Sequence, residues 1–331
     1  MIRETRAWRA LGRSPLAWVG AAVAAVLVLA ALCADLIASE LPIAVHVRGH
    51  TFWLPSLTRP EALRGESART LREEARMDPG AWILEPPVPF GPNQIALEEA
   101  LRPPGGAHLL GTDALGRDVL ARLIHGARSS LAVGLLAVLL YVAVGILIGA
   151  CAGYYGGRVD AALSRATEVV LAFPTVFLVL CVLGVTRARG LLPIILVIGF
   201  TRWTEVSRLV RAEVLRLREL DFVHASRALG ASGPWVLARH LVPHAMGPVL
   251  VAATFGVAGA ILLETGLSFL GFGIQPPNPS WGELLTQAHR YVTYPGAWWL
   301  TVFPGLAIFL TVASFNLVGE ALRERSISPH L

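Results

Sequence analysis

Six long stretches of this 331-residue chain are almost free of charged side chains, and this feature restricts the fold more than any other. An α-helix rises about 1.5 Å per residue, so about 20 apolar residues are needed to cross the hydrocarbon core of a bilayer. The pattern therefore predicts an all-α polytopic membrane protein with six transmembrane helices. The predicted spans are Leu16–Ala38, Ser130–Ala152, Val169–Val185, Leu191–Val210, Gly247–Leu270 and Ala297–Gly319.

Composition agrees with burial in lipid, since only 15% of the residues are charged and the mean hydropathy is +0.59. Every basic residue is arginine, and the absence of lysine excludes a phosphate-binding loop of the G-x-x-x-x-G-K-[ST] type. The three cysteines lie in apolar stretches without metal or disulfide spacing. The sequence therefore predicts no catalytic residue, no metal site and no cofactor in this chain.

Arginine distribution predicts the orientation of the spans, because cytoplasmic loops are enriched in arginine and lysine. Arginines cluster in residues 1–13, 202–239 and 323–325, whereas the two short outside loops hold only Arg187, Arg189 and Arg290. Both termini are therefore predicted to be cytoplasmic. The apolar core of the first span exceeds the roughly 7–15 residues of a cleavable signal peptide, so we expect a retained anchor.

The spans divide the chain into four parts. Residues 1–38 form a cytoplasmic tail and the first span, and residues 39–128 form an extracytoplasmic segment. Residues 129–320 hold the other five helices, and residues 321–331 form a second cytoplasmic tail. Frequent prolines in the extracytoplasmic segment predict a small folded cap, which is either a solvated lid or a docking surface.

Two helices are predicted within that segment. One is a short charged helix at Glu61–Arg76. The other precedes the second span and begins at Thr112 or Asp113, which can cap a helix. Apolar residues lie on one face of it and Arg117, Asp118 and Arg122 on the other, so it is predicted to be an amphipathic helix along the membrane surface.

The cytoplasmic segment at residues 211–248 is the most informative connection. Phe222, Ala225, Ser226 and Leu229 share one helical face, and Gly230 suits the left-handed position that ends a helix. A second helix begins near Pro234, which fits a first turn. The spacing predicts a short crosswise helix, a tight turn and a helix that returns into the bilayer, although an ordinary re-entrant connector has the same spacing.

This segment resembles the cytoplasmic loop of ATP-binding cassette importer permeases. Their loop carries Glu-Ala-Ala, three residues, glycine, nine residues and Ile-x-Leu-Pro. Aligned on Gly230 and Pro243, the Glu-Ala-Ala positions fall on His224, Ala225 and Ser226. Histidine therefore stands where the family has its acidic residue, while the small residues and the glycine turn are kept.

Three longer stretches resemble the dipeptide/oligopeptide/nickel branch of that family more narrowly. They are HLLGTDALGRDVLARLIHGARSSL at 108–131, ETGLSFLGFGIQPPNPSWGELL at 264–285 and FPGLAIFLTVASFNLVGEALRE at 303–324. The resemblance thus runs from about His108 to Glu324. It implies the type I importer permease fold and the C-type permease subunit of a peptide importer.

The resemblance also implies partners in the bacterial inner membrane. They are a homologous second permease, two ATPase subunits that bind ATP, and an extracytoplasmic solute-binding protein; no nucleic acid is involved. By the same resemblance, the residues that couple to the ATPase subunits are Asp221, His224, Ala225, Ser226, Arg227, Gly230 and Pro243.

Glu264 is the ionisable group within the fifth span and is a candidate for lining the translocation path. The alternative is that Glu264 lies near the outer end of the span and orders the turn at residues 271–273. Two other protein classes stay open: a secondary transporter, which needs ion sites in mid-membrane, and a membrane enzyme, which needs clustered His, Asp and Glu. Dipeptides, longer or modified peptides and nickel chelates all remain candidate cargo.

Overall fold

The computed structural model describes residues 14–63, 68–78, 80–291 and 296–327. The arginine-rich tail at residues 1–13 and the end of the second tail at residues 328–331 lie outside the described residues.

Helices make up most of the described chain. In chain order they are α1 Pro15–Leu32, α2 Ala34–Ile37, α3 Pro55–Thr58, α4 Ala68–Met77, α5 Val119–Tyr155, α6 Gly157–Leu171, α7 Thr175–Thr186, α8 Leu191–Thr201, α9 Trp203–Leu217, α10 Asp221–Ala228, α11 Gly233–Val236, α12 Val242–Phe269, α13 Trp281–His289 and α14 Trp299–Ile327. Short 3₁₀ turns lie at Glu61–Leu63 and Leu97–Glu99, and a π turn at Leu237–Leu241 joins α11 to α12.

Four helical segments are long and apolar enough to cross a membrane: Pro15–Leu32, Val119–Tyr155, Gly233–Phe269 and Trp299–Glu324. They correspond to the first, second, fifth and sixth predicted spans. The third predicted span is divided between α6 and α7, which are bent by 83° at a break that contains Pro174, a residue without an N–H to continue a helix. The fourth is divided between α8 and α9 at Arg202. Within the described residues, four helical segments, or five if the bent pair is one span, therefore have the length and composition of a membrane span, and six spans stay a prediction.

The expectation of an all-α fold is wrong for residues 44–84. Strands β1 Ala44–Val47, β2 His50–Trp53 and β3 Trp82–Leu84 form an antiparallel sheet in the order β2-β1-β3. Leu71 of α4 packs with Val45 and Val47 in a small core below the sheet. Residues 44–84 thus contain a folded sheet and helix, while their extracytoplasmic position stays a prediction. Of the helix predicted at Glu61–Arg76, the described residues show the 3₁₀ turn Glu61–Leu63 and α4.

The predicted amphipathic helix before the second span is not formed as expected. Residues 101–118 are mostly turns and bends, and α5 begins only at Val119. Arg117, Asp118 and Arg122 are buried rather than directed to water, because each is bound by a polar partner inside the protein. The sequence showed the polar pattern but not its partners.

The described residues divide into two compact units. We call the described part of residues 1–24, 132–267 and 310–331 the connector unit, and the described part of residues 25–131 and 268–309 the cap unit. In the connector unit, Gly145, Gly149 and Gly153 form a stripe along α5 that faces α9. A Cβ added at Gly145 would lie 2.8 Å from the Trp203 carbonyl oxygen, and one at Gly153 would lie 2.9 Å from that of Arg211. Small residues at this spacing let two helices approach closely.

Candidate functional site

The candidate site is the connector between α9 and α12, which holds every predicted coupling residue except Pro243, the second residue of α12. Its central element is α10, and Gly230 follows it with φ +85°, in the left-handed region. The Gly230 N–H donates to the Arg227 carbonyl at 2.9 Å and the Ala231 N–H donates to the Ser226 carbonyl at 3.1 Å. This pair of hydrogen bonds is the Schellman motif, so the predicted glycine stop is confirmed.

The surface of α10 is apolar and accessible in this chain. Leu229, just after the helix, is 89% exposed, and Phe222, Ala225 and Ala228 are exposed as well, whereas Val223 is fully buried. Val223 therefore anchors the helix while the predicted face stays at the surface. Asp221, His224 and Arg227 are also exposed, and Ser226 is half-buried with its hydroxyl donating to the Phe222 carbonyl at 2.8 Å.

Aromatic contacts hold α10 against the segment that begins α12. The Phe222 ring stacks on His244 with 5.4 Å between centroids and meets His240 edge-on at 6.1 Å. Trp235 packs edge-on against His240 at 4.9 Å. Sequence reasoning missed this cluster, although His240 and His244 lie one helical turn apart and therefore share a face.

Pro243 is the second residue of α12, and only Val242 separates it from the π turn Leu237–Leu241. A proline inside a helix lacks the N–H for its own hydrogen bond, and its ring crowds the carbonyl four residues earlier. The wider π turn gives that carbonyl, on Arg239, more room. The helix therefore continues through Pro243 instead of starting after it.

Further contacts tie the connector to α5 and α6. The Arg218 Nη1 donates to the Gly153 carbonyl at 2.9 Å, and the Arg227 guanidinium lies 5.0 Å from the centre of the Tyr154 ring. The Arg211 Nη2 donates to Asp160 of α6 at 2.6 Å, and this hydrogen bond raises the pKa of Arg211. Sequence reasoning did not find these contacts, because the partners lie far apart in the sequence. Arg211 and Asp160 are 51 residues apart, and Arg218 and Gly153 are 65 residues apart.

Glu264 lies in α12, five residues before its end at Phe269, and is fully buried within this chain. Its predicted role in the translocation path stays a prediction.

A second polar cluster lies in the cap unit, around the start of α5. The Arg122 Nη2 donates to Glu283 of α13 at 2.8 Å, and the Arg117 Nη2 donates to the Gln287 side-chain oxygen at 2.8 Å. Arg122 is fully buried. Burial raises the pKa of Glu283, and the positive charge of Arg122 opposes that rise. These contacts fix α13 to α5 across 161 residues of sequence.

His108 lies between two carboxylates in the same unit. Its Nδ1 is 2.8 Å from Asp118 and its Nε2 is 2.9 Å from Glu99. The hydrogen bond from His108 lowers the pKa of Glu99. The two ring nitrogens of His108 thus lie within hydrogen-bonding distance of two different carboxylates.

Membrane-length helices joined by an exposed helix whose ends are fixed define an integral membrane protein with a surface element suited to docking. A family model described as "Binding-protein-dependent transport system inner membrane component" matches residues 145–327, more than half of the chain and all of the connector. A model for the "N-terminal TM domain of oligopeptide transport permease C" matches residues 5–50.

Individual relatives agree with the family models. The nickel transport system permease protein NikC of Escherichia coli K12 is 40% identical over 246 residues, covering 74% of this chain and 87% of NikC. A protein of Brucella suis biovar 1 named as a peptide transport system permease is 39% identical over 247 residues, covering 74% and 81%. Among solved structures, the inward-facing MetNI methionine transporter aligns with a TM-score of 0.47 at 20% identity, covering 62% of this chain and 96% of that one.

The chain belongs to the family of inner membrane components of binding-protein-dependent transport systems. It is a multi-pass permease subunit of an ATP-binding cassette importer, as its sequence resemblance predicted.

Proposed function

We propose that the chain forms one half of a translocation path for peptides across the bacterial inner membrane. A homologous second permease forms the other half, two ATPase subunits supply the energy, and a solute-binding protein delivers cargo from outside. The chain has six spans and cytoplasmic termini, and ATP is bound only by its partners. Relatives named as peptide permeases and the match to the permease C model support peptides as cargo.

Coupling to the ATPase subunits occurs through α10. The exposure of Leu229 on a helix that is held at both ends carries this proposal. A helix with fixed ends transmits a push, whereas a flexible loop would absorb it. Closure of the ATPase pair displaces α10, and the attached helices change between inward-open and outward-open packing. Asp221, His224, Ala225, Ser226, Arg227, Gly230 and Pro243 form or position this contact.

The test is reconstitution of this chain with the proposed partners: the second permease, the ATPase subunits and the solute-binding protein. Proteoliposomes are given radiolabelled trialanine, and uptake and ATP hydrolysis are measured together. We expect ATP-dependent uptake that requires the binding protein. Uptake by this chain alone, without the ATPase subunits, would identify a secondary transporter and overturn the proposal.

Nickel is the second candidate cargo, because NikC is among the similar relatives. The same proteoliposomes, given radioactive nickel in place of trialanine, separate the two cargoes. ATP-dependent uptake of nickel but not of trialanine would replace the peptide assignment and leave the permease assignment intact.

Glu264 contributes to cargo choice in this proposal, and Glu264→Gln tests it with the charge removed and the size kept. Uptake of trialanine peptides with free and with acetylated amino termini is compared. If the Glu264 carboxylate binds the peptide amine, the wild type prefers peptides with a free amino terminus and Glu264→Gln loses that preference. An unchanged preference removes Glu264 from the path and favours a structural role within α12.

A further inference from the structure

Tyr154, the penultimate residue of α5, is held by two separate parts of the connector. The Arg227 guanidinium lies over its ring at 5.0 Å, and Arg227 is in the last turn of α10. Gly233, the first residue of α11, packs so closely that an added Cβ would lie 3.0 Å from the Tyr154 hydroxyl oxygen. Residues before and after the Gly230 turn therefore both contact the side chain of Tyr154.

The neighbouring residue reinforces the same place. The carbonyl of Gly153 accepts a hydrogen bond from Arg218, which lies just before α10. The segments before, within and after α10 thus all contact the last residues of α5. Because α5 has 37 residues, it is about 55 Å long, and these contacts lie at its C-terminal end.

The other contact of α10 has a different partner. Phe222, near the start of α10, packs on His240 and His244 and so connects to α12. The two ends of α10 are therefore linked to two different membrane helices, its start to α12 and its end to α5. Of these two links, the one between the end of α10 and α5 is the one that consists of a charged group over an aromatic ring.

We propose that Arg227 and Tyr154 form the joint through which displacement of α10 moves α5. Both are positioning residues: they transmit motion and contact neither cargo nor ATP. Arg227 then acts toward α5, inside this chain, as well as bordering the exposed docking face. This inference rests on the proposed coupling of α10 to the ATPase subunits.

A cation over an aromatic ring suits this task because the attraction tolerates small changes of angle while it resists separation. It is worth about 0.5–1 kcal/mol at an exposed site, which corresponds to a change of about two- to fivefold in an equilibrium. A weakened joint leaves ATP hydrolysis running while the spans follow it less often. The quantity that changes is therefore cargo moved per ATP hydrolysed.

The experiment measures this ratio in the reconstituted complex with trialanine as the probe. Tyr154→Leu and Arg227→Gln are each expected to lower it by about two- to fivefold, with no loss of assembled complex. Tyr154→Phe keeps the ring and is expected to keep the wild-type ratio, and Arg227→Lys keeps the cation and should retain most of it. The double variant should lose no more than either single variant, because both remove one interaction.

Arg239→Gln is the matched control, since Arg239 is an exposed arginine of the same connector with no aromatic ring below it among the described residues. An equal loss in Arg239→Gln would show that positive charge on the connector matters and not the joint. An unchanged ratio in Arg227→Gln, or additive losses in the double variant, would also overturn the proposal. If Tyr154→Leu does not assemble, Tyr154→Met, which also removes the ring, takes its place in this comparison, because Arg227 also borders the docking face.

Failure of the joint is distinguishable from failure of the proposed function. If the wild-type complex takes up no cargo with ATP, the proposed function itself fails. If the wild type transports and Gly230→Val abolishes uptake while both joint variants transport normally, coupling through α10 stands. In that case the motion reaches the spans by another contact.

Discussion

The backbone conformation of Gly230 ends helix α10. Its φ is +85°, and nothing lies within 4 Å of a Cβ added there, so a side chain would be strained by the backbone and not by a clash inside the chain. We expect Gly230→Val to weaken this turn by about 1–2 kcal/mol and to lower peptide uptake. Uptake and ATP hydrolysis in the reconstituted complex check this.

Gly230→Asn is the informative comparison, because asparagine enters the left-handed region more readily than valine. It should retain more uptake than Gly230→Val if backbone conformation is the cause. Equal loss in both variants would point instead to a side chain that obstructs the ATPase subunit. Normal uptake by Gly230→Val would contradict the assigned role of the turn.

His108 predicts a dependence of stability on pH. The pKa of Glu99 is lowered in the folded state by its hydrogen bond with His108, so the carboxylate contributes stability above its unfolded pKa near 4.5. That contribution is lost as the pH falls through the lower, folded pKa. Thermal unfolding of the detergent-solubilised protein from about pH 7 to about pH 2 measures it.

The control for this prediction is His108→Gln, which keeps a polar side chain but removes the imidazole that is hydrogen-bonded to Glu99. The wild type should be more stable than the variant near neutral pH, and the difference should shrink toward the acid end. A difference that stays constant over the whole range would show that His108 matters through packing, for example against the Phe90 ring 4.3 Å away.

At the scale of elements, the contact of α5 with α9 depends on glycine. A Cβ at Gly149 would overlap the backbone of Ser207, and backbone cannot move aside as a flexible side chain can. Gly149→Ala should therefore destabilise the protein by about 1–3 kcal/mol, as overpacking does. Gly266→Ala is the control, because a Cβ there meets nothing within 4 Å in this chain.

Thermal unfolding in detergent compares the two alanine variants. Alanine favours helix over glycine, so the control should be unchanged or slightly more stable. A similar stability for Gly149→Ala and Gly266→Ala would mean that α9 can move away without cost. The stripe would then not set the distance between the two helices.

The sequence predicted elements well where one local pattern decides them. Apolar length located four of the six proposed spans, and the Schellman stop at Gly230 followed from a single residue. Prediction from the sequence failed where contacts between residues far apart in the chain determine the structure. The strands of the cap have only three or four residues, too few for a clear alternation, and the Arg48–Gly49 turn that joins two of them lacks the usual asparagine.

The same limit explains the site. Arg117 and Arg122 matched the polar face of a surface helix. Both are buried instead, because Arg122 binds Glu283, 161 residues later, and Arg117 binds Gln287, 170 residues later. Helix α10 and its stop at Gly230 were predictable because the face, the turn and the spacing are local. The contact between Arg227 and Tyr154 was not predictable, because the two residues are 73 positions apart in the sequence (227 − 154) and only helix packing brings them together.

At the scale of the whole molecule, the orientation in the membrane decides whether coupling is physically possible. ATPase subunits can push α10 only if residues 221–230 face the cytoplasm, and a binding protein can meet the cap only if residues 44–84 face outward. Two exposed side chains report these positions separately: Leu229 beside α10, and Trp82 in the sheet. Each is changed to cysteine in a chain whose Cys33, Cys151 and Cys181 have been replaced by serine.

A membrane-impermeant maleimide is added to intact spheroplasts and, separately, to permeabilised ones. We expect Trp82→Cys to react in both and Leu229→Cys to react only after permeabilisation, because arginine-rich connectors stay on the cytoplasmic side. Phe309→Cys, on an exposed position of the apolar α14, is a control that lipid should protect in both samples. Labelling of Leu229→Cys in intact spheroplasts would put the docking helix on the side without ATP, and coupling through α10 would then be impossible.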